Sequence, residues 1–515
     1  MADHRAVMIG AGIGGLAAAI DLAGRGLAVT VVERAEGPGG KLRGIEVGGR
    51  VLDAGPTVFT LRAVFDELFA DAGTSLAEHL TMRPLSTLAR HAWNDGAHLD
   101  LFADQQESAQ AIGEFAGAAE AKGFLEFCAR ARQIFMSLNA SFMRAQRPDP
   151  IRLAMAFAPE GFGRLWGISP FTTLWQALGR HFRDPRLRQL FARYATYCGS
   201  SPFAAPATLM LVAHAEQMGV WTIDGGMFRL AQVMAQLATA GGVTFRYGTD
   251  VAEIQVSHGR ARGVLLANGE TIGADAVICN TDIAALSSGL LGTQAAQAAP
   301  KFPAKARSLS AVTWLMKAKA DGFPLHRHNV FFSNDYTAEF GDLSVREQLP
   351  SDPTVYVCAQ DRDEDPQAPQ GREAPERLLC LINAPPTGDR HPYDASEIEQ
   401  CSERTFRRLE NCGLHLHRDP LTTTITTPAD FHRLYPGTGG ALYGRASHGW
   451  MASFQRPAAR SRLPGLYLAG GSTHPGPGVP MAAMSGRLAA QCVTADLAST
   501  RRSRVTVMRG GISTR

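Results

Sequence analysis

Three glycines, Gly10, Gly12 and Gly15, stand at the G-x-G-x-x-G spacing between the apolar run of residues 5–9 and the Ala-rich run of residues 16–22. This spacing suits a pyrophosphate. The first glycine permits a tight turn, the second lets phosphates approach the backbone, and the third lets helix pack on strand. The phosphate then rests on free N–H groups at the positive end of a helix dipole. A ligand-free turn would match the same spacing, so the flanks decide. Residues 27–32 read as a second strand ending in Glu33, eighteen residues after Gly15. An acid there accepts the ribose hydroxyls of an adenine dinucleotide. Gly39 and Gly40 allow another close approach, and Lys41 or Arg43 has the length to reach a phosphate; a turn followed by solvated basic residues is the plain alternative. Candidate acid–base groups are few. Asp149 and Arg152 stand three apart at the entry to an apolar segment, which is also the spacing of a surface ion pair. His474 lies in a second glycine-rich loop, placed to relay a proton or to make a structural hydrogen bond.

That second loop strengthens the ligand assignment. Residues 466–469 read as a strand. Gly470, Gly471, Gly476 and Gly478, with Pro475, Pro477 and Pro480, then make a rigid loop of close approach, and residues 481–497 read as a helix with a small-residue face. Pro480 sits where a first-turn proline is tolerated. A positive helix end beside a flavin pyrimidine ring would stabilise the anion formed on reduction. A nicotinamide enzyme has no need of this second site, so the pair of motifs favours FAD bound along its length.

The elements that must position these residues are partly legible. Residues 44–47 and 50–53 read as a hairpin around Gly48-Gly49, ending in Asp53-Ala54-Gly55-Pro56-Thr57 near the cofactor. Residues 58–223 read as mostly helical, with helix-period apolar faces over 59–69 and 109–138. Asp224-Gly225-Gly226-Met227 opens a helix over 228–238, and strands follow at 243–247, 251–256, 263–266 and 276–279. Further strands are expected at 311–317 and 378–382, with an exposed Pro-rich loop over 361–376.

A chain of 515 residues exceeds one simple domain and can bury a large core. The net charge is +3, but residues 499–515 carry five arginines and no acid, which leaves about −2 for the rest and gives no sign of a nucleic-acid partner. Eight cysteines without a C-x-x-C pair fit reduced thiols in a cytoplasmic protein, and no metal site is expected. No signal-peptide pattern stands at the N-terminus. Residues 194–215 are uncharged except for His214, but Gly199, Pro202 and Pro206 make them helix, turn and helix in a core rather than a membrane span.

Gly10 to Gly15, Glu33-Arg34, Gly39-Gly40-Lys41 and residues 465–479 together resemble the bacterial-type carotenoid desaturases, within the wider flavin amine-oxidase-like group. Pro477 replaces the small residue more usual there. Residues 53–59, 88–93 and 193–203 are similar to one branch, the 1-hydroxycarotenoid 3,4-desaturases, of purple photosynthetic bacteria. The resemblance implies an α/β fold: a Rossmann-type FAD-binding domain of the amine-oxidase/glutathione-reductase-like class, with an inserted mixed α+β substrate domain. Residues 1–80, 224–290 and 436–498 would form the first, residues 81–223 and 291–435 the second, and residues 499–515 a disordered basic tail.

It implies a cofactor set of Gly10, Gly12, Gly14, Gly15, Glu33, Arg34, Gly39, Gly40, Lys41, Gly55, Pro56, Thr57, Val251, Gly470, Gly471, Gly478, Val479 and Met481. A similar Asp-x-x-Arg pair occurs in related desaturases at the place of Asp149 and Arg152. The implied substrate is an acyclic hydroxylated carotenoid, and the implied electron acceptor is oxygen or a quinone. A phytoene-type desaturase is the alternative within enzymes. A flavin-free isoprenoid-binding protein of the Rab GDP-dissociation-inhibitor architecture is the alternative outside them. A water-insoluble substrate also implies peripheral contact with the cytoplasmic side of the inner membrane. Residues 151–182, which include Trp166 and Trp175 with Arg152, Arg164 and Arg180, are the candidate face; the same residues suit the lining of a buried tunnel.

Overall fold

The computed structural model describes residues 4–147, 172–362, 374–449 and 451–508. Two sheets organise it. The first has five parallel strands in the order Thr244–Arg246, Ala28–Val32, Arg5–Ile9, Ala276–Cys279 and Leu466–Leu468. Ala6, Val7, Met8 and Ile9 are all buried, as expected for a parallel strand covered on both faces, which reads as a continuous apolar run.

One face of this sheet carries the helices Ile13–Gly24 and Val479–Met508. They approach backbone to backbone: a Cβ on Gly486 would lie 2.0 Å from the Gly14 carbonyl oxygen. The small side chains of Ala17, Ala18, Ala483 and Ala489 fill the seam. The other face packs against an antiparallel meander, Val251–Ser257, Arg260–Leu266 and Thr271–Gly273, through Ile254, Val264 and Leu266. The last helix overruns the sequence expectation. It continues to Met508, into the stretch expected to be disordered, because no glycine or proline interrupts residues 487–509.

The second sheet has eight strands. Seven run in the order His415–His417, Ser310–Asp321, Glu376–Ala384, Val355–Ala359, His328–Phe331, Thr87–Ala92 and His98–Phe102, and Thr423–Thr426 also pairs with Ser310–Asp321. Its pairs are antiparallel except His328–Phe331 with Thr87–Ala92. Period-two alternation divides its faces. Leu378, Cys380, Ile382 and Ala384 pack with Phe406 and Leu409 of the helix Ala395–Asn411, while Leu379, Leu381 and Asn383 face a central cavity.

Residues 58–223 are therefore less helical than their composition suggests: five strands arise there, including Thr87–Ala92, which pairs with the neighbouring His98–Phe102 on one side and with His328–Phe331, more than 200 residues away, on the other. The expected helix over 109–138 is two, Gln105–Ala116 and Ala118–Leu138, broken at Gly117 with φ +100°. The ends of the expected exposed loop are buried instead, tied by Arg377–Asp361 at 2.8 Å and Arg362–Glu376 at 2.7 Å. No helix among the described residues is long and apolar enough to cross a membrane.

Candidate active site: a dinucleotide cradle open to an apolar cavity

A cavity of about 1340 Å³ runs from the carboxyl ends of the parallel strands to the inner face of the second sheet. Every residue of the implied cofactor set lines it except Gly15. Gly15 works from behind: a Cβ there would lie 2.2 Å from the Gly10 oxygen, so it fixes helix against strand. Gly14 is similarly enclosed, with Asn280 Oδ1, Gly470 N and the Ala482 carbonyl all within 3.0 Å of a Cβ. Gly12 faces the cavity, and the first turn of the helix Ile13–Gly24 has no side-chain cap. Its N–H groups thus remain available for an anion.

Glu33 closes this end. Its Oε2 accepts from Ala11 N at 2.7 Å and its Oε1 from Ala35 N at 2.8 Å. A carboxylate offers about four lone-pair sites, so the fixed group retains acceptors for a vicinal diol. Arg34 is turned to the Arg433 and Leu434 carbonyls at the rim.

Lys41 occupies the middle of the cradle. Its Nζ donates to the Leu442 carbonyl at 2.6 Å and lies 3.7 Å from Asp282 Oδ2. Burial pulls the pKa of its ammonium down and Asp282 opposes this. Asp282 Oδ2 is buried and has no hydrogen-bond donor. Gly55 passes against the Lys41 carbonyl, with only 1.9 Å to a would-be Cβ. This places Pro56 and Thr57 on the cavity wall. Asp53 holds that turn: its carboxylate accepts from Met227 N at 2.7 Å and Phe228 N at 2.8 Å, and its backbone pairs with the Gln360 side chain.

The second loop leaves the sheet at Leu468. Thr473 Oγ1 donates to the Gly470 carbonyl at 2.6 Å, and Arg456, buried and lowered to about 10 by desolvation, donates to the carbonyls of Tyr443, Gly471 and Arg445. The helix Val479–Met508 then begins at the cavity with no acid in its first turn. Two positive helix ends thus open on one cavity.

His474 does not line the cavity. Its Nε2–H donates to the Phe142 carbonyl at 2.9 Å and the Ala145 carbonyl at 3.0 Å, and burial lowers its pKa to about 4. It joins the flavin-side loop to residues 142–145 as a neutral hydrogen-bond donor. Asp149, Arg152 and Trp166 lie outside the described residues. Trp175 is held by packing, 4.8 Å from the Phe203 ring and stacked under Arg188 at 4.0 Å. Sequence reasoning missed Glu216. It sits in the helix Leu211–Gln217, is 8% exposed, and faces the apolar half of the cavity. Its only signal was an isolated acid in an Ala-rich helix.

The donor set fits FAD. The glycines leave room where phosphates must approach, Glu33 offers acceptors for the ribose, and the donorless Asp282 oxygen suits a ribityl hydroxyl.

The chain is 55% identical over 513 residues to the hydroxyneurosporene desaturase of Rubrivivax gelatinosus, covering 99% of this chain and 97% of that protein. It is 31% identical to the 1-hydroxycarotenoid 3,4-desaturase of a Flavobacterium species, covering 96% and 98%. Its fold matches putrescine oxidase at a TM-score of 0.57 and 14% identity, covering 96% and 99%. The family model for flavin containing amine oxidoreductases matches residues 13–494, a span that takes in the starts of both helices, the second sheet and four of the five strands of the first. This chain therefore belongs to that family and takes FAD as its cofactor.

Proposed function

We propose that this protein is an FAD-dependent desaturase that introduces a C=C bond at C-3,4 of a 1-hydroxylated acyclic carotenoid. The observation that carries the proposal is the continuity of the dinucleotide cradle with a cavity walled by Leu138, Leu209, Val212, Leu379 and Leu381. A long apolar chain can lie there and meet the cofactor end without water.

FAD bound in the cradle supplies a two-electron acceptor for the C–H that leaves as hydride. The remaining tasks belong to the chain. Apolar walls exclude water and hold the substrate in line, which provides proximity and orientation. The helix ends at Ile13 and Val479 favour negative charge beside them. A proton must also leave a neighbouring carbon. Four carboxylates line the cavity among the described residues: Glu33, Asp250, Asp282 and Glu216. The first two stand with the ribose site and Asp282 stands with Lys41, so Glu216 faces the substrate. Burial raises its pKa, which makes it a better base than an exposed carboxylate. We assign proton acceptance to Glu216.

The electrons so taken up would pass on to oxygen or a quinone, and the substrate would be drawn from the surface of the inner membrane. The test is a single turnover without oxygen. Mixing the flavin-loaded protein with 1-hydroxyneurosporene should bleach the flavin absorbance and give a red-shifted carotenoid in equal amount. A bleached flavin without a longer polyene, or no bleaching, would refute the proposal.

A further inference from the structure

The apolar half of the cavity carries a polar cluster for which a pure hydrocarbon has no use. Tyr194 Oη donates to Glu216 Oε2 at 2.7 Å, and the Tyr194 ring packs edge-on against that of Tyr197, centroids 5.6 Å apart. Arg193 Nη1 donates to Tyr197 Oη at 3.0 Å. The Arg193 guanidinium also lies 5.0 Å from the Tyr197 ring centroid and 5.3 Å from that of Tyr356. Tyr356 Oη is 2.7 Å from Thr57 Oγ1. Because Thr57 follows the Gly55 turn against Lys41, the cluster stands at the cofactor end of the apolar space.

Burying such groups is costly unless they are paired. Their pairing is incomplete as far as the cavity is concerned. A guanidinium has five N–H donors, and Arg193 directs one to Tyr197. The Tyr197 oxygen spends one lone pair on Arg193, which leaves a second lone pair. Arg193, Tyr197 and Glu216 all face the cavity.

Resting on the desaturase reading above, we propose that Arg193 and Tyr197 recognise the substrate's hydroxyl group. Arg193 donates to the oxygen of the C-1 hydroxyl, and Tyr197 Oη accepts the hydroxyl proton. Tyr194, itself bonded to Glu216, packs against Tyr197 and holds it in place. The purpose is register. An acyclic polyene offers many nearly equivalent C–C bonds, and an apolar tunnel cannot tell one from the next. The C-1 oxygen is three bonds from C-3, so fixing it here brings the C-3–C-4 bond to the cofactor. A site built to bond a hydroxyl discriminates strongly against an analogue without one, because its polar groups are then buried unpaired; an apolar pocket discriminates only weakly against an added hydroxyl.

The test compares kcat/KM for 1-hydroxyneurosporene and for neurosporene in the same vesicles. It uses the wild-type protein, Tyr197→Phe and Arg193→Met, with bound FAD per chain as the measure of folding. The wild type should favour the hydroxylated substrate by ~100-fold. Each substitution should lower that ratio at least ~10-fold, with the flavin content unchanged. A loss shared equally by both substrates, or loss of flavin from both variants, would make the cluster structural and overturn the inference. Equal use of both substrates by the wild type would overturn it and leave the desaturase reading standing. A flavin-loaded wild type that desaturates neither would overturn both.

Discussion

Replacing Glu33 separates the two tasks this carboxylate performs. Its oxygens accept from Ala11 N at 2.7 Å and Ala35 N at 2.8 Å, and they present their remaining lone pairs to the cavity. Glu33→Ala removes all of these. Hydrogen bonds to a charged group contribute ~1.5–3 kcal/mol each. Loss of the ribose contacts should therefore cost about 3 kcal/mol of FAD binding, which is ~100-fold in Kd. Glu33→Gln keeps one carbonyl acceptor and should lose ~10-fold. Glu33→Ala also leaves the Ala11 N–H without its acceptor, so the flavin-free protein should lose ~1–3 kcal/mol as well. The assay is titration of flavin-free protein with FAD, followed by quenching of flavin fluorescence, beside thermal unfolding of the same samples. A lowered Tm with unchanged Kd would refute the ribose role and reduce Glu33 to a brace for the glycine turn.

Other perturbations follow from the same geometry. Gly12→Val should abolish bound FAD per purified chain, since its side chain enters the phosphate path and meets Asn280 Nδ2, which would lie only 2.7 Å from even a Cβ. Gly486→Ala drives a methyl group to 2.0 Å from the Gly14 oxygen, so denaturant unfolding should show a loss of ~1–3 kcal/mol from overpacking. His474 has a folded pKa lowered from 6.5 to about 4, so the unfolded chain binds its proton more readily. Its contribution is present above pH 6.5 and is lost as pH falls towards 4, by up to ~3 kcal/mol; His474→Gln should flatten that part of the stability curve. Glu216 is raised from its ordinary 4.5, and its protonated form cannot accept a proton. The wild-type rate should therefore fall as pH falls through that raised value, and Glu216→Gln should lower kcat above it and remove this fall.

The cofactor end was legible because its information is local. Gly10 to Gly15, the hairpin of residues 44–53 and the loop of residues 470–478 each state their backbone needs within a few residues; the two glycine loops border one cavity, and the hairpin leads into the Ala54-Gly55 turn at its wall. The second sheet was legible only in part: the strands expected at 311–317 and 378–382 are its longest two, whereas Leu88-Ala89-Arg90-His91 has no clear strand alternation and becomes a strand beside the distant Asn329 to Phe331. The same reason hid the anchoring of the Gly55 turn, where Asp53 reaches a helix start 174 residues on. Glu216 carries no motif. Its meaning comes from Tyr194, 22 residues earlier, and from a cavity that only the folded chain creates. The branch resemblance did include residues 193–203, so Arg193 and Tyr197 were in view without a role.

Purified, flavin-loaded protein given 1-hydroxyneurosporene and phytoene in lipid vesicles, with both products read by absorbance, should convert the hydroxylated carotenoid to a red-shifted product with one more conjugated double bond and turn over little phytoene. Faster conversion of phytoene would refute the assignment to hydroxylated carotenoids.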